Sequence, residues 1–240
     1  SAIRQIMQGN RIAYWCSDTP TSKTIIETLG TTPIPSDLSI ARSGLCCAEL
    51  TAKRLLPNDA TAQTLTSLAR DIKLWRRSDE QATRLADIAA SGYDTKKLID
   101  MLSKGVVWSD SLELIRKEYL ERKGRALDEL GKHVIIKDYV GMKFGFSLAA
   151  VLLQSADACQ RLLDTQPVDV ACIIFRDGRI AFRRKDGIDV DLEQVAMLFS
   201  GGGREFASGG RIRGVTSVSS ENFENVAFTV DRNLKDFFLR

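Results

Sequence analysis

Residues 168–210 read VDVACIIFRDGRIAFRRKDGIDVDLEQVAMLFSGGGREFASGG and carry the strongest structural signal in the chain. The opening run is apolar and rich in β-branched residues, which predicts a buried strand ending at Phe175. Arg176-Asp177-Gly178-Arg179 contains the Asp-Gly pair favoured in two-residue hairpin turns, so Ile180–Lys185 is predicted to return as the partner strand. Asp189 or Asp191 is then a candidate N-cap for a short helix, which runs into three glycines.

The sequence around this stretch continues the same alternation of strands and helices. The predicted elements are strands at His133–Asp138 and Lys143–Leu148, a helix at Ser155–Leu163, strands near Ile212–Val218 and Val226–Val230, and a closing helix at Asn233–Leu239. Strands mixed with helices in this order predict an α+β domain with a mixed sheet.

The front part of the chain has a mainly helical pattern. Apolar residues recur at helical spacing between Ser43 and Lys104, with breaks at Gly92 and Gly105. Ser109–Leu130 is the longest predicted helix, and its alternating charges are typical of a solvated face. The whole chain is therefore predicted to be α/β, with a mostly helical front domain at 1–108, a linker helix at 109–131 and an α+β domain at 132–240.

The composition is that of an ordinary globular protein. Of the 240 residues, 44% are hydrophobic and 27% are charged, which supports a packed core and excludes a disordered tail. No apolar run reaches the ~18–20 residues that a membrane helix needs, and the start lacks a signal-peptide core. We therefore expect a cytoplasmic protein that does not contact a membrane. The five cysteines form no CxxC pair, which argues against a zinc site or a disulfide framework.

The glycine run and nearby arginines form the candidate binding site. Gly201, Gly202 and Gly203 leave bare backbone amides that can approach an anion closely, and Arg204 follows at once. If Glu205–Ser208 began a helix, its free N–H groups would point at the same place. Arg183, on the preceding strand, could complete a forked grip on phosphate. The alternative is that the glycines are only a helix C-cap and a turn.

This ordered series resembles the DHHA1 domain of the DHH phosphoesterase superfamily over residues 133–218. In that family a strand carrying an arginine precedes a helix, a GGGH run and an Ala-Ser or Ala-Gly pair. The resemblance implies that Arg183, Gly201–Arg204 and Ser208 hold the phosphate or terminal nucleotide of a ligand. Arg204 stands where the family has histidine, so it keeps a positive donor but cannot shuttle protons.

The front part also resembles a DHH protein. Residues 41–50 (ARSGLCCAEL) are similar to the helix after the Asp-His-His signature, and residues 69–75 (ARDIKLW) are similar to a later motif with an aspartate near a tryptophan. The stretch from Tyr14 to Pro20 stands where the signature, or the family's earlier Asp-x-Asp-Gly motif, would be. The signature is absent, and the chain has a single histidine, His133.

A metal site is therefore predicted to be lost. Two-metal hydrolysis needs several convergent carboxylates and histidines, and the resemblance leaves only Asp18 and Asp71 as candidate ligands. The alternatives are a turn or N-cap role for Asp18 and a solvated helix position for Asp71.

By this resemblance the chain is a catalytically inactive, RecJ-like member of the superfamily. It is expected to bind single-stranded DNA or RNA, or a replication or repair partner such as the GINS complex. Two alternatives stay open: a manganese- or magnesium-dependent phosphodiesterase or 5′–3′ single-strand exonuclease acting on oligonucleotides or cyclic dinucleotides, and a pure protein scaffold. No cofactor is expected unless the enzyme alternative holds. The net charge is only +3, so a basic patch requires the fold to separate the two signs.

Overall fold

A computed structural model describes residues 15–17, 36–38, 45–74 and 76–239. It divides into two compact units. The first takes the described residues up to Ala86 together with Thr95–Val107, and the second takes Asp87–Asp94 and the chain from Trp108 onward. None of the helices in this described part is both long and apolar enough to cross a membrane.

The first unit is mainly helical. Asp59 caps one of its helices by accepting a hydrogen bond from the Ala62 amide at 2.7 Å. Asp79 caps the next helix through the amides of Gln81 and Ala82. The elements are β1 Trp15–Ser17 paired in parallel with β2 Ser36–Leu38, then α1 Cys47–Leu55, α2 Ala60–Lys73, α3 Glu80–Ala90, whose last turn belongs to the second unit, and α4 Thr95–Ser103.

The second unit is built on a six-stranded sheet in the order β3-β4-β5-β6-β8-β7. The pair β4–β5 is parallel and the other pairs are antiparallel, so the predicted mixed sheet and the α/β class are confirmed. The elements are α5 Asp110–Leu130, β3 Val134–Tyr139, β4 Met142–Ala149, α6 Ser155–Thr165, β5 Val170–Phe175, β6 Arg179–Arg184, α7 Leu192–Met197, β7 Gly202–Arg204, β8 Ala207–Arg211 and α8 Phe223–Phe238.

The sheet separates two hydrophobic cores. Along β6, Ile180 and Phe182 pack toward α7 and α8, while Ala181 between them packs toward α5 and α6. Every residue of β5 is buried because it lies in the interior of the sheet with both faces covered. This is why its sequence is a continuous apolar run rather than an alternating one.

Two local predictions are wrong, and one conditional expectation is not met. Val226–Val230 is not a strand but part of α8, whose buried residues Phe223, Ala227, Val230 and Leu234 follow helical spacing. Ile212–Val218 is a loop whose two end residues are buried in the core, which explains its apolar pattern. Glu205–Ser208 does not begin a helix: Arg204 pairs with Ala207, so residues 205 and 206 form the turn of the β7–β8 hairpin.

Candidate functional site

A groove of about 410 Å³ opens on one face of the second unit, above β6, β7 and β8. The first turns of α6 form its other wall. The groove is lined by Ser155, Ala156 and Cys159 of α6, by Arg179–Arg183 of β6, by Gly202 and Gly203 of β7, and by Ala207–Gly210 of β8.

Two arginines lie in one row across the strands at this groove. Arg183 of β6 is opposite Ala207 of β8, and Ala207 is in turn opposite Arg204 of β7. Directly opposed residues in an antiparallel pair project from the same face. Burial raises the pKa of the Cys159 thiol to about 12, and the positive charge of Arg183 opposes that rise. Ala181, two residues before Arg183 on β6, packs on the α6 side of the sheet, so Arg183 projects to that same side, where the groove is.

The glycines of this region are required by close backbone contacts. A Cβ on Gly201 would lie 2.0 Å from the carbonyl oxygen of Gly209, and one on Gly210 would lie 2.6 Å from the carbonyl oxygen of Phe199. Gly203 has φ +150°, and a Cβ there would lie 2.7 Å from the Cα of Ser208. No side chain fits at these three positions without a shift of the backbone. The same lack of side chains leaves the backbone of β7 and β8 as the floor of the groove.

Ser208 takes a different position from the one the sequence suggested. Its hydroxyl donates to the backbone carbonyl of Leu192, at the start of α7. This side chain therefore fixes α7 to β8, and only the remainder of Ser208 lines the groove. The structure thus gathers Arg183, Gly202, Gly203 and Ser208 at the groove, with Arg204 beside them in the cross-strand row. Gly201 lies against Gly209.

The sequence reasoning missed the contribution of α6. Its start at Ser155 was predicted, but nothing local to the sequence places it over β6. Gln154, at the N-cap, makes no side-chain capping hydrogen bond. The first-turn N–H groups of α6 therefore meet the groove without a side-chain cap from Gln154, and such groups favour an anion. Arg179 was also missed, but it is paired with Asp177 at 2.8 Å.

Asp71 is the candidate metal ligand that the described residues include; Asp18 lies outside them. Asp71 is only 5% exposed, so its interpretation as a solvated helix charge is wrong. Its Oδ1 accepts hydrogen bonds from the Ser78 hydroxyl at 2.5 Å and the Ser78 amide at 3.1 Å. The hydroxyl bond is the main reason why the pKa of Asp71 is lowered.

Asp71 also lines a pocket of about 590 Å³ in the first unit, together with Glu49, Arg70 and Arg76. No group of three or more His, Cys, Asp or Glu residues within the described ranges is arranged to hold a metal ion. The described residues around Asp71 do not fit a metal pair, because a metal pair needs several convergent ligands. The contacts of Asp71 instead tie the end of α2 to the segment that leads into α3.

No family model matches the chain, and no curated protein sequence matches it. Solved structures do resemble it. They include an exopolyphosphatase-related protein from Bacteroides fragilis (15% identity over 100% of this chain and 76% of that one, TM-score 0.44) and a pGpG-specific phosphodiesterase from Vibrio cholerae (8% identity, 93% and 99%, TM-score 0.45). A third is the DHH domain of a member of the S1P family of ribosomal proteins (13% identity over 78% of this chain and 48% of that one, TM-score 0.41). At these identities and TM-scores, the likenesses carry no argument about what this chain binds or does.

Proposed function

We propose that this protein binds phosphate groups of single-stranded nucleic acid in the groove of its second unit, as a degenerate DHH/DHHA1 protein that does not cut what it binds. One observation carries the proposal: Arg183, the glycine-rich backbone of β7 and β8, and the first turn of α6 all line a single groove. An arginine, a glycine-rich backbone and a helix N-terminus can each bind phosphate, and all three lie at this groove.

The chemistry of each element suits a phosphodiester. A guanidinium can donate two parallel hydrogen bonds to phosphate oxygens. The first N–H groups of an 11-residue helix carry a partial positive charge. A volume of about 410 Å³ falls within the size range of small-molecule sites, so it admits a nucleotide-sized group.

The fold also separates some of the charges of residues 176–213. Arg183 and Arg204 lie on the α6 side of the sheet, as the cross-strand row shows. Asp191 and Glu193 lie at the start of α7, whose apolar residues pack into the opposite core. Asp177 is neutralised by its ion pair with Arg179. Positive charge is therefore present on the groove face of the sheet, and Asp177 is already compensated by Arg179.

Charge reversal of Arg183 is the direct test. Arg183→Glu is expected to weaken binding of a fluorescently labelled single-stranded oligonucleotide by about 10- to 100-fold, because a charge-assisted contact is replaced by repulsion. The slope of log affinity against log salt should also become shallower by about 0.7, the value for one lost phosphate contact on a single strand. Fluorescence anisotropy over a salt series measures both.

Arg184→Glu is the matched control. Arg184 is the next residue on the same strand and is similarly half-buried, but it points to the opposite face and its Nε donates to the carbonyl of Glu205. The two variants have the same net charge. If the two variants bind the oligonucleotide with the same affinity, whether or not it is lower than that of the wild type, the groove is not the binding site.

The proposal also includes docking of this protein on a replication or repair factor such as the GINS complex. A partner that uses another surface would leave the groove open to nucleic acid. Co-purification of the wild-type chain and the Arg183→Glu variant separates the two activities: the partner should be retained by both, and the oligonucleotide only by the wild type.

A further inference from the structure

A buried set of four charges lies behind the α6 wall of the groove. Lys123 of α5 places its Nζ 2.6 Å from Oδ2 of Asp157 and 3.1 Å from Oδ1 of Asp87. Arg116 places its Nε 3.1 Å from the other oxygen of Asp87. All four side chains are at least four-fifths buried. Two cations and two carboxylates cancel, so this set has no net charge as long as it is complete.

The same face of α5 also fixes the chain that leads into α6. Tyr119 is fully buried, and its hydroxyl donates to the carbonyl of Leu152 at 3.3 Å. One turn further along α5, Lys123 holds Asp157 in the first turn of α6. The start of α6 is therefore attached to α5 on both sides of its N-cap.

The position of Asp157 makes its neutralisation matter for an anion. It is the third residue of α6, so its carboxylate lies in the turn whose N–H groups carry partial positive charge. A bare negative charge there would oppose a phosphate at the groove. Burial disfavours the charged form of Lys123, but Asp157 and Asp87 outweigh it and raise the pKa of Lys123 above its ordinary 10.5. The ammonium is therefore present at neutral pH.

We infer that Lys123 is a positioning residue for anion binding that acts through Asp157: it cancels the negative charge of Asp157 in the first turn of α6. This inference rests on the proposed phosphate-binding function. It gives a residue that does not line the groove a defined electrostatic effect on the ligand. It also predicts the sign of the effect at both members of the pair, which a purely structural salt bridge does not.

Binding of the labelled oligonucleotide by four variants tests it. Lys123→Met should bind about tenfold more weakly, because the ion pair that offsets the charge of Asp157 beside the helix N-terminus is lost. Lys123→Arg should restore binding. Asp157→Asn should bind as tightly as the wild type or up to about threefold more tightly, since a negative charge near the ligand is removed. In Lys123→Met/Asp157→Asn, affinity should return to near the wild-type value.

Far-UV circular dichroism and the urea midpoint of each variant accompany the binding data. If Lys123→Met does not fold, Asp157→Asn and the double variant still decide the question. Loss of affinity in Asp157→Asn, or a double variant as weak as Lys123→Met, would overturn the inference, since both outcomes would make the pair a structural tie alone. Equal binding by Lys123→Met and the wild type would overturn it as well. Failure of the wild type to bind at all would instead refute the proposed function.

Discussion

At the scale of single residues, the glycines between 201 and 210 act through the backbone of their neighbours. Gly201, Gly209 and Gly210 lie where two strands and the end of α7 approach closer than any side chain allows. The sequence predicts the glycine run as an anion cradle or a turn, and neither interpretation contains these contacts, because they depend on which strand lies alongside. A glycine run is thus recognisable in the sequence, whereas the reason for each glycine is not.

Gly201→Ala should destabilise the protein. The added Cβ would lie 2.0 Å from a backbone oxygen, so the hairpin must shift, at a cost of about 1–3 kcal/mol in the free energy of unfolding. Gly124→Ala is the matched control, because Gly124 is exposed within α5 and a Cβ there meets nothing. That control should raise stability by up to about 1 kcal/mol through helix propensity. Urea denaturation measures both, and equal effects would contradict the packing argument.

At the scale of elements, α8 shows where a local pattern misleads. Residues 226–230 read VAFTV, which is rich in residues that favour strands. Only the longer interval that includes Phe223 and Leu234 reveals helical spacing. The hairpin of β5 and β6 was predictable because its turn, Asp177-Gly178, has a specific chemistry. The α6 wall of the groove was not, because the pairing of β4 with β5 that places α6 there joins residues far apart in sequence.

The contact between α8 and β3 makes the free energy of unfolding depend on pH in the acid range. Tyr139 donates to Oδ1 of the buried Asp231 at 2.6 Å, and Lys235 lies 2.9 Å from the other oxygen. Burial of Asp231 opposes its ionisation, but these two partners outweigh burial and hold its pKa below the ordinary 3.8. Its carboxylate therefore stabilises the fold above that ordinary value, and the contribution is lost as the pH falls through the lower, folded-state pKa.

Asp231→Asn should remove this dependence. Near pH 7 the variant is expected to be less stable than the wild type by about 1–3 kcal/mol, because a charge-assisted bond to Tyr139 and the ion pair with Lys235 are weakened. The difference should shrink below about pH 4 as the wild-type carboxylate is protonated. Thermal or urea unfolding across that range measures it. A difference that stays constant with pH would show that Asp231 is not the titrating group.

At the scale of the whole molecule, the proposed phosphate-binding groove lies in the second unit, and the candidate metal ligand Asp71 lies in the first. The groove gathers Arg183 and the glycine-rich backbone, whereas the Asp-His-His signature of DHH proteins is absent from the sequence. The class of the fold could be predicted from the sequence, and the single histidine is read from it directly. The burial of Asp71 could not, because it depends on how Ser78 folds back onto α2.

End-labelled single-stranded DNA and RNA should therefore stay intact when incubated with the protein in manganese buffer. Denaturing gels show the result beside a nuclease control. Shortening that disappears with EDTA and with Asp71→Ala would overturn this expectation and establish the phosphodiesterase alternative. Asp59→Ala is a suitable control for the stability effect of changing an aspartate in this unit, since Asp59 is an exposed N-cap.

The short strand β7 has a consequence for association. An open edge of a sheet offers unpaired N–H and C=O groups to any passing chain, and it is a common starting point for aggregation. At the groove side of this sheet, the edge is only three residues long and ends in the charged Arg204. It presents too few groups to template a second sheet. The strand that borders the groove therefore discourages edge-to-edge association beside the proposed binding site.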